Sequence, residues 1–409
     1  MIVLKIAVID PMFHWPPHGG ACVDLKETAT RLQRDGFDMH LFVPTMHKIW
    51  PRGVVDENSL DFSVHKIRTS FWSLNRFSFP NKVRKEVDKI KPDYVIVGDS
   101  FFFKPALIKA LKNYKVVTRF YAYDVICPND SSLLKKRYKS GTCNSNYLEK
   151  PRECMSCAMS DFFKWSIFSS RLDIGAHEFL MNLAFMPDYH RLAIESLSSC
   201  HAIIVYNDMI KNILSRYNKD IYIIPGGVDT KRFVPKKFSR RDGRKNILMA
   251  GRILDFRKGG NLLWKAGKIL SRKRDDFRIQ LTMSPTQTVG NFEFIGWKNG
   301  ADLVKSYQRC DICVVPSIWE EPFGLVALEA MSCGKPVIGS DVTGLRLSVK
   351  DGETGLIFKN GSVTDLVKKI EALLDDSGMR KRMGIEARRV AEDNFDWEVI
   401  ANMYKEVLS

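Results

Sequence analysis

The sequence predicts an α/β protein made of two doubly wound units. Short apolar runs such as Tyr94–Val97 and Ile312–Val315 are typical of parallel strands that are covered on both faces. Helical patterns separate these runs along the chain, and such alternation indicates a parallel sheet with helices on both sides. About ten strand candidates are too many for one open sheet, so we expect two.

The order of the predicted elements suggests where the domains divide. The strand candidates are rich in β-branched residues and cover residues 2–9, 38–43, 93–97, 115–119, 202–206, 221–224, 246–250, 278–283, 312–315 and 336–339. The helix candidates have apolar residues at helical spacing and cover 21–35, 103–113, 261–272, 323–333, 363–374 and 379–393. The Pro/Gly loop Pro225–Asp229 suits a hinge. We therefore predict a first domain over 1–222 and a second over 223–395, with an irregular insertion at about 127–190.

Composition excludes several classes of protein. Of the 409 residues, 45% are hydrophobic and 27% charged, as in globular proteins and unlike disordered or collagen-like chains. No apolar run is long enough to span a bilayer. The net charge of +16 favours anionic partners such as nucleotides or phosphorylated lipids. The basic residues are spread over both halves without a concentrated face, so we predict that nucleic acid is not a partner.

The cysteines predict a reducing environment and a metal site. Nine is an odd number for a disulfide scaffold, and the first ten residues resemble a buried strand rather than an export signal. We therefore expect reduced thiols in the cytoplasm. Cys127, Cys143, Cys154 and Cys157 fall in the insertion. The C-x2-C spacing of the last two is typical of a tetrahedral thiolate site and predicts structural zinc or another metal; buried thiols or a disulfide are the alternatives.

The sharpest motif covers residues 316–338 and contains two carboxylates, Glu321 and Glu329. We expect Pro322 in the first turn of a helix and Gly334 at its C-terminal cap. The two carboxylates would then lie roughly 12 Å apart along the helix axis, too far to act on one bond but suited to the ends of an extended polar ligand. Backbone N–H groups at the helix start favour an anion. This combination describes a nucleotide sugar; the alternative for each glutamate is an ordinary structural carboxylate.

A second motif places two cations after the strand candidate 246–250. Gly251 lets the backbone turn closely, and Gly259 opens the next helix. Arg252 and Lys258 can converge on one anion at the carboxyl end of a strand, where open α/β sheets bind ligands. The alternative is a solvated basic turn.

A third motif is the pair Gly19–Gly20, which follows the first strand candidate. Two glycines before a helix allow backbone N–H groups to approach a phosphate closely. The segment has no GxGxxG pattern and no P-loop lysine, so dinucleotide and P-loop sites are unsupported. An ordinary tight turn is the alternative.

Together these motifs resemble the retaining glycosyltransferases of family 4, which have the GT-B fold of two Rossmann-like doubly wound domains facing a central cleft. The matching segments follow one another as in that family: Ile224–Asp229, Phe233–Pro235, Gly251–Gly259, Glu293–Trp297, Asp311–Ser317, Glu321-x7-Glu329 with Pro322–Leu325, Thr354–Phe358 and Phe395–Glu398. The resemblance is dense from 200 to 409. In the first domain it consists of the glycine loop and the general layout.

The resemblance implies a role for each matching residue. Arg252 and Lys258 would bind the donor diphosphate, and Glu329 would hold the ribose hydroxyls. Glu321 would hold sugar hydroxyls. The remaining implied donor contacts are backbone groups, those of Gly19, Gly20, Phe323, Gly324 and Leu325.

The resemblance also implies the reaction and its partners. The transfer would be metal-independent and would retain the anomeric configuration. The donor would be a UDP- or GDP-type nucleotide sugar, with ADP an open alternative, and the acceptor a sugar or a lipid-linked molecule. The last helix, about 396–409, would pack back on the first domain.

Two features of the first domain complete the prediction. Many family members carry a His near the reacting sugar, in a loop that reads Val116–Pro128 here and has none. The resemblance implies that Arg119, Tyr121 or Asp124 takes over part of its role. We predict that Asp124 contacts the acceptor or the donor sugar; the alternative is a structural role in a turn. A non-catalytic or divergent GT-B nucleotide-sugar-binding protein remains the alternative function. The aromatic run Phe162–Phe168 predicts peripheral contact with the inner face of a membrane, with packing beneath a loop as the alternative.

Overall fold

The computed structural model describes residues 3–17, 19–45, 54–129, 133, 143–168, 187–236, 238 and 242–409. These residues form two compact units. The first contains the described residues up to Pro225 together with Ala401–Ser409, and the second contains Gly226–Ile400. The run Phe162–Phe168 lies in a helix whose side chains there are outside the described part, so its predicted membrane contact remains a prediction.

The first unit is a parallel sheet with helices packed on it. Its strands are β1 (Lys5–Ile9), β2 (Asp38–Thr45), β3 (Ser63–Arg68), β4 (Tyr94–Val97), β5 (Lys115–Arg119), β6 (Ala202–Val205) and β7 (Ile221–Ile223). Its helices are α1 (Gly20–Arg34), α2 (Ser78–Ile90), α3 (Lys104–Ala110), α4 (Pro151–Phe168), α5 (Pro187–Ser199) and α6 (Asp208–Leu214). The strand order is β3-β2-β1-β4-β5-β6-β7. All residues of β4 and β6 are buried, as their continuous apolar sequences predict.

The second unit repeats this plan. Its strands are β8 (Lys245–Met249), β9 (Phe277–Leu281), β10 (Gln287–Val289), β11 (Phe292–Phe294), β12 (Ile312–Val315), β13 (Val337–Ser340) and β14 (Gly355–Phe358). Its helices are α7 (Gly260–Leu270), α8 (Gly300–Arg309), α9 (Leu325–Ser332), α10 (Thr343–Ser348), α11 (Val363–Asp375) and α12 (Ser377–Phe395), and α13 (Trp397–Val407) ends the chain. The strand order is β10-β11-β9-β8-β12-β13-β14, and only β10 pairs antiparallel among the described strands.

The prediction of about ten strands was too low, because four strands are either mostly polar or at most four residues long. Strand β3 is at the edge of its sheet and carries polar residues on most positions. Strand β10 is wholly exposed, and β11 and β14 have three and four residues. Tertiary pairing rather than local sequence places these strands.

The predicted irregular insertion is only partly irregular. It contains the 18-residue helix α4, and α5 begins within it at Pro187. Residues 130–132, 134–142 and 169–186 of this segment lie outside the described part. Among the described helices, none is long and apolar enough to cross a bilayer.

Candidate active site

Two loops meet at the carboxyl ends of β8 and β12, which are neighbours in the second sheet. Strand β9 pairs with β8 on its other side, so the chain reverses its direction of winding between β8 and β12. Such a switch point opens a crevice where α/β sheets bind ligands. The loop after β8 carries Arg252 and Lys258, and the loop after β12 carries Glu321.

Glu321 is the centre of a hydrogen-bonded group. Its carboxylate lies 2.8 and 3.0 Å from Lys258 Nζ, and it accepts hydrogen bonds of 2.8 Å from Ser317 Oγ and Trp319 Nε1. Burial alone would raise the pKa of Glu321, but the charge of Lys258 and the hydrogen bonds from Lys258, Ser317 and Trp319 outweigh burial and lower the pKa. Sequence reasoning missed Ser317 and Trp319 as partners, although both stand in the motif.

The cations of the first loop are held by Asp255 and Trp319. Arg257 forms a two-pronged ion pair with Asp255, at 2.8 and 2.9 Å, and both Arg257 and Lys258 lie within 5.5 Å of the centre of the Trp319 ring. Arg252 lies 3.9 Å from Asp255, and its side chain is 54% exposed. The structure therefore joins Lys258 to Glu321, whereas the convergence of Arg252 and Lys258 on one anion remains a prediction.

The two loops are locked together through their backbones. The N–H of Ile318 donates to the C=O of Arg257 at 2.8 Å. Gly259 has a φ of +74°, and a Cβ there would lie 1.8 Å from the carbonyl oxygen of Pro316. On the other side, Gly344 at the start of α10 donates its N–H to the C=O of Glu321 at 3.0 Å. Glycine is thus required at 259 because the second loop occupies the space of a side chain.

We expect Gly259→Ala to destabilise the second unit far more than Gly352→Ala. Both glycines have positive φ, +74° and +82°, but a Cβ at Gly352 would meet nothing within 4 Å. The control should lose about 1 kcal/mol from backbone strain, whereas Gly259→Ala should lose more than about 3 kcal/mol because the Pro316 loop must move. Chemical unfolding of both variants measures the difference, and equal losses would show that the loops are not locked.

Glu329 forms a second polar contact, on α9. It accepts a 2.6 Å hydrogen bond from the hydroxyl of Tyr307 on α8. Burial raises the pKa of Glu329 to about 7, because the Tyr307 hydrogen bond and the charge of Arg232 only partly offset it. Glu329 is half-buried, and no ion pair is recorded for it among the described residues, so its carboxyl suits donors from a neutral ligand such as hydroxyls. Tyr307 is the partner that sequence reasoning missed.

The helix that carries Glu329 begins later than predicted. It starts at Leu325 after Gly324, whose φ is +105°, so Pro322 is not in its first turn. Pro322 and Phe323 belong instead to the loop that Gly344 holds in place. Glu321 therefore lies outside the helix, and its separation from Glu329 does not follow from helical rise. The predicted ligand contacts of Phe323, Gly324 and Leu325 remain predictions.

The sequence of this unit matches a known family. Residues 230–390 match the model of the glycosyl transferases group 1. This segment is a group 1 glycosyl transferase domain. It contains all four of the side chains that we predicted to bind the donor: Arg252, Lys258, Glu321 and Glu329.

Curated relatives match about half of the chain. The D-inositol 3-phosphate glycosyltransferase of Paenarthrobacter aurescens is 34% identical over 227 residues, 48% of this chain and 55% of that protein. The glycogen synthase of Mycobacterium tuberculosis is 29% identical over 225 residues, 52% of this chain and 53% of that protein. The chain thus spans about half the length of these relatives.

Solved structures extend the likeness in fold to both units. Sucrose-phosphate synthase from Thermosynechococcus elongatus matches with a TM-score of 0.71 at 19% identity, over 99% of this chain and 98% of that one. Anabaena Alr3699/HepE in complex with UDP and glucose matches with a TM-score of 0.67 at 17% identity, over 99% of both chains. The predicted GT-B fold class, with two Rossmann-like α/β units, is confirmed.

Asp124, Gly19 and Gly20 are predicted site residues that belong to the first unit. Asp124 is 3% exposed and lies 3.1 Å from the ammonium of Lys104, which is fully buried. Lys104 also donates to the C=O groups of Gly98 and Arg119. Asp124 thus neutralises a buried cation, and its contact with a sugar remains a prediction. Gly19 precedes α1 in an extended conformation, and a Cβ there would meet nothing within 4 Å.

Arg119 is the centre of a buried charged cluster. It is fully buried, as is Asp24, whose carboxylate lies 3.4 Å from its guanidinium. Arg119 donates to the C=O of Ile224 at 2.7 Å, and its guanidinium lies 4.1 Å from the ring centre of Tyr206 and 5.8 Å from that of Tyr404. Arg119 therefore joins α1, β5 and the chain after β6 and β7 to the C-terminal helix. Its part in replacing the missing His remains a prediction.

The predicted zinc site in the insertion is not supported. Among the described residues, no group of three or more His, Cys, Asp or Glu side chains is placed to hold a metal. Two of the thiols contact backbone carbonyls. The Sγ of Cys127 lies 3.4 Å from the C=O of Asn129, and the Sγ of Cys143 lies 3.7 Å from the C=O of Ser145. Burial raises the pKa of Cys154 to about 12, with the nearby Cys127, Cys143 and Cys157 adding to the rise.

Proposed function

We propose that the protein is a retaining glycosyltransferase of family 4. It would act in the cytoplasm and move a sugar from a nucleotide-diphosphate sugar to a hydroxyl of a sugar or lipid-linked acceptor, in glycan, polysaccharide or glycolipid biosynthesis. The observation that carries this proposal is the Glu321–Lys258 pair, built from two interlocked loops at the switch point of a group 1 domain. The structures of Anabaena Alr3699/HepE in complex with UDP and glucose or with UDP-glucose, which share the fold, support a UDP-type donor.

Glu321 is suited to hold hydroxyls and not to accept a proton. Its low pKa and its hydrogen bonds from Lys258, Ser317 and Trp319 leave it a weak base. It also keeps a negative charge close to the reacting sugar, where positive charge develops at the anomeric carbon.

Lys258 and Arg252 would stabilise the leaving diphosphate. As the bond between the anomeric carbon and the phosphate oxygen breaks, negative charge collects on the diphosphate, and the two cations stabilise it in place of a metal ion. The acceptor oxygen forms the new bond to the anomeric carbon on the same face, and its proton passes to the departing phosphate oxygen. Glu329 and Tyr307 would bind the ribose hydroxyls.

The first test of this proposal is thermal unfolding with UDP, GDP, ADP and their sugars. A ligand at 100 times its dissociation constant stabilises the folded state by about 2.7 kcal/mol. We expect a rise in Tm with one base only, and no rise in Arg252→Ala or Lys258→Ala. No rise with any nucleotide would contradict the proposal.

The finer parts of the proposal need product analysis. With the identified donor, NMR of the product should show the anomeric configuration of the donor, and activity should persist in excess EDTA. An inverted product would contradict retention, and loss of activity in EDTA that Mg²⁺ restores would contradict metal independence.

A non-catalytic or divergent GT-B nucleotide-sugar-binding protein is the second candidate. It is favoured by the segment Val116–Pro128, which has no His and whose Asp124 is paired with Lys104. Under this alternative, the nucleotide raises Tm, but no donor is consumed with any sugar or lipid acceptor.

A further inference from the structure

A cavity lies between three helices of the first unit, α2, α3 and α5. Its volume is about 340 Å³, within the range of sites that hold small molecules. Helix α3 contributes Ala106, Lys109 and Ala110, at the i, i+3 and i+4 spacing that puts side chains on one face of a helix. The two alanines leave space between α2 and α5, because their side chains are short.

The residues that line this cavity change in character from its base to its mouth. Those that are buried or half-buried are mostly apolar, as at Pro80, Ala106 and Leu192. Polar side chains are exposed at the mouth, among them Asn81, Lys109, Arg191 and Glu195. An apolar base with a few polar groups is the arrangement that small-molecule sites have in common.

An aromatic ring is held at the mouth of the cavity. Phe77 lines it and is 66% exposed. The side chain of Asn75 accepts the N–H groups of Phe77 and Ser78 at 2.9 and 2.8 Å, and the guanidinium of Arg76 lies 4.8 Å from the centre of the Phe77 ring. An exposed ring that is fixed in this way can pack against the apolar C–H groups of a sugar.

Two cations at the mouth are not engaged in close ion pairs. Arg76 pairs with Asp188 at 2.9 Å, and its side chain is only 13% exposed. Arg191 lies 3.7 Å from Glu195, and its side chain is 77% exposed. Among the described residues, no carboxylate pairs with the ammonium of Lys109. Lys109 and Arg191 are therefore suited to an anion such as a phosphate group.

We propose that this cavity binds a phosphorylated monosaccharide. The phosphate contacts Lys109 and Arg191, and the sugar ring packs against Phe77. Asn81 and Glu195 bind hydroxyls of the sugar at the mouth. Inorganic phosphate alone would leave the aromatic ring and the apolar base uncovered, and a neutral sugar would leave the two cations without a partner.

This site goes beyond the proposed function and does not depend on it. Helices α2, α3 and α5 share one hydrophobic core with the first sheet, and the cavity lies among them. The four side chains predicted to bind the donor belong to the second unit, and none of these four lines the cavity. A sugar phosphate that is bound here therefore leaves the candidate donor site open to its nucleotide.

The test is isothermal titration calorimetry of the full chain with glucose 1-phosphate and glucose 6-phosphate, with glucose and inorganic phosphate as comparison probes. We expect one saturable site for at least one of the sugar phosphates, with a Kd at least about tenfold below that of phosphate. Lys109→Gln with Arg191→Gln should raise this Kd at least about tenfold, because hydrogen bonds to a charged group are lost. Phe77→Ser should raise it at least about threefold.

The matched controls lie in the same unit. Arg84→Gln with Lys85→Gln removes two exposed charges of α2 outside the cavity lining, and Trp72→Ser removes an aromatic side chain that is 83% exposed. Neither should change the Kd by more than about twofold, because exposed charges and side chains away from the ligand are screened by water and salt. The cavity variants and these controls should keep the Tm of the unchanged protein.

Four outcomes would overturn the proposal. They are the absence of saturable binding by either sugar phosphate, equal binding of inorganic phosphate, equal losses in the controls, and loss of binding in Lys258→Ala. The last outcome would place the sugar phosphate in the candidate donor site, whereas unchanged binding in Lys258→Ala supports a separate site.

Discussion

Lys258→Ala is expected to lower kcat/KM for sugar transfer by about a thousandfold, mostly through kcat. The substitution removes a charge that stabilises the leaving diphosphate, and such groups typically contribute 10²–10³-fold or more. It also leaves the buried carboxylate of Glu321 without its cation, which raises the pKa of Glu321 and weakens its hold on the sugar. Lys258→Arg should recover only part of the rate, because a planar guanidinium does not reproduce a point charge.

Lys268→Ala is the matched control for this variant. Lys268 also lies over a tryptophan ring of the second unit, 5.1 Å from the centre of Trp264, compared with 5.3 Å for Lys258 and Trp319. We expect it to change kcat/KM by less than about twofold. Because Lys258 and Glu321 act as one unit, Lys258→Ala combined with Glu321→Gln should be hardly slower than the slower single variant. Additive losses would show that the two side chains act separately.

Arg119→Met is expected to destabilise the first unit by about 3–5 kcal/mol, because Asp24 is left as an unpaired charge in the core. At this size, such a loss lowers Tm by on the order of 10 °C. Burial already raises the pKa of Asp24, with Arg119 and Tyr206 opposing that rise, so removal of Arg119 should raise it further. Since the folded state then binds a proton that the unfolded state releases, the deficit should be smaller at pH 5 than at pH 8.

Two further variants distinguish the buried charge from a general loss of packing. Asp24→Asn combined with Arg119→Met removes both charges and should recover much of the stability. Arg346→Met breaks an exposed pair with Asp341, in which the arginine side chain is 63% exposed, and should cost less than about 1 kcal/mol. If Arg119→Met is as mild as Arg346→Met, or if its deficit does not depend on pH, the buried pair does not contribute as inferred.

The sequence alone predicted the features of this protein that depend on local pattern: the buried strands, the site motifs and the fold class. Continuous apolar runs predicted the buried strands β4 and β12, because burial on both faces leaves no place for polar residues. The motifs at Gly251–Gly259 and Glu321–Glu329 predicted the group 1 resemblance, since each combines a backbone requirement with a charge. The order of strands and helices predicted the α/β class.

Only the tertiary structure shows which side chains from distant segments of the chain contact each other. Lys258 and Glu321 are 63 positions apart, and nothing local to either shows that β8 and β12 are neighbours. The same holds for Tyr307 with Glu329 and for Arg119 with Asp24. Spacing fixes which side chains are close along one element, but burial and pairing depend on which elements the sheet brings together.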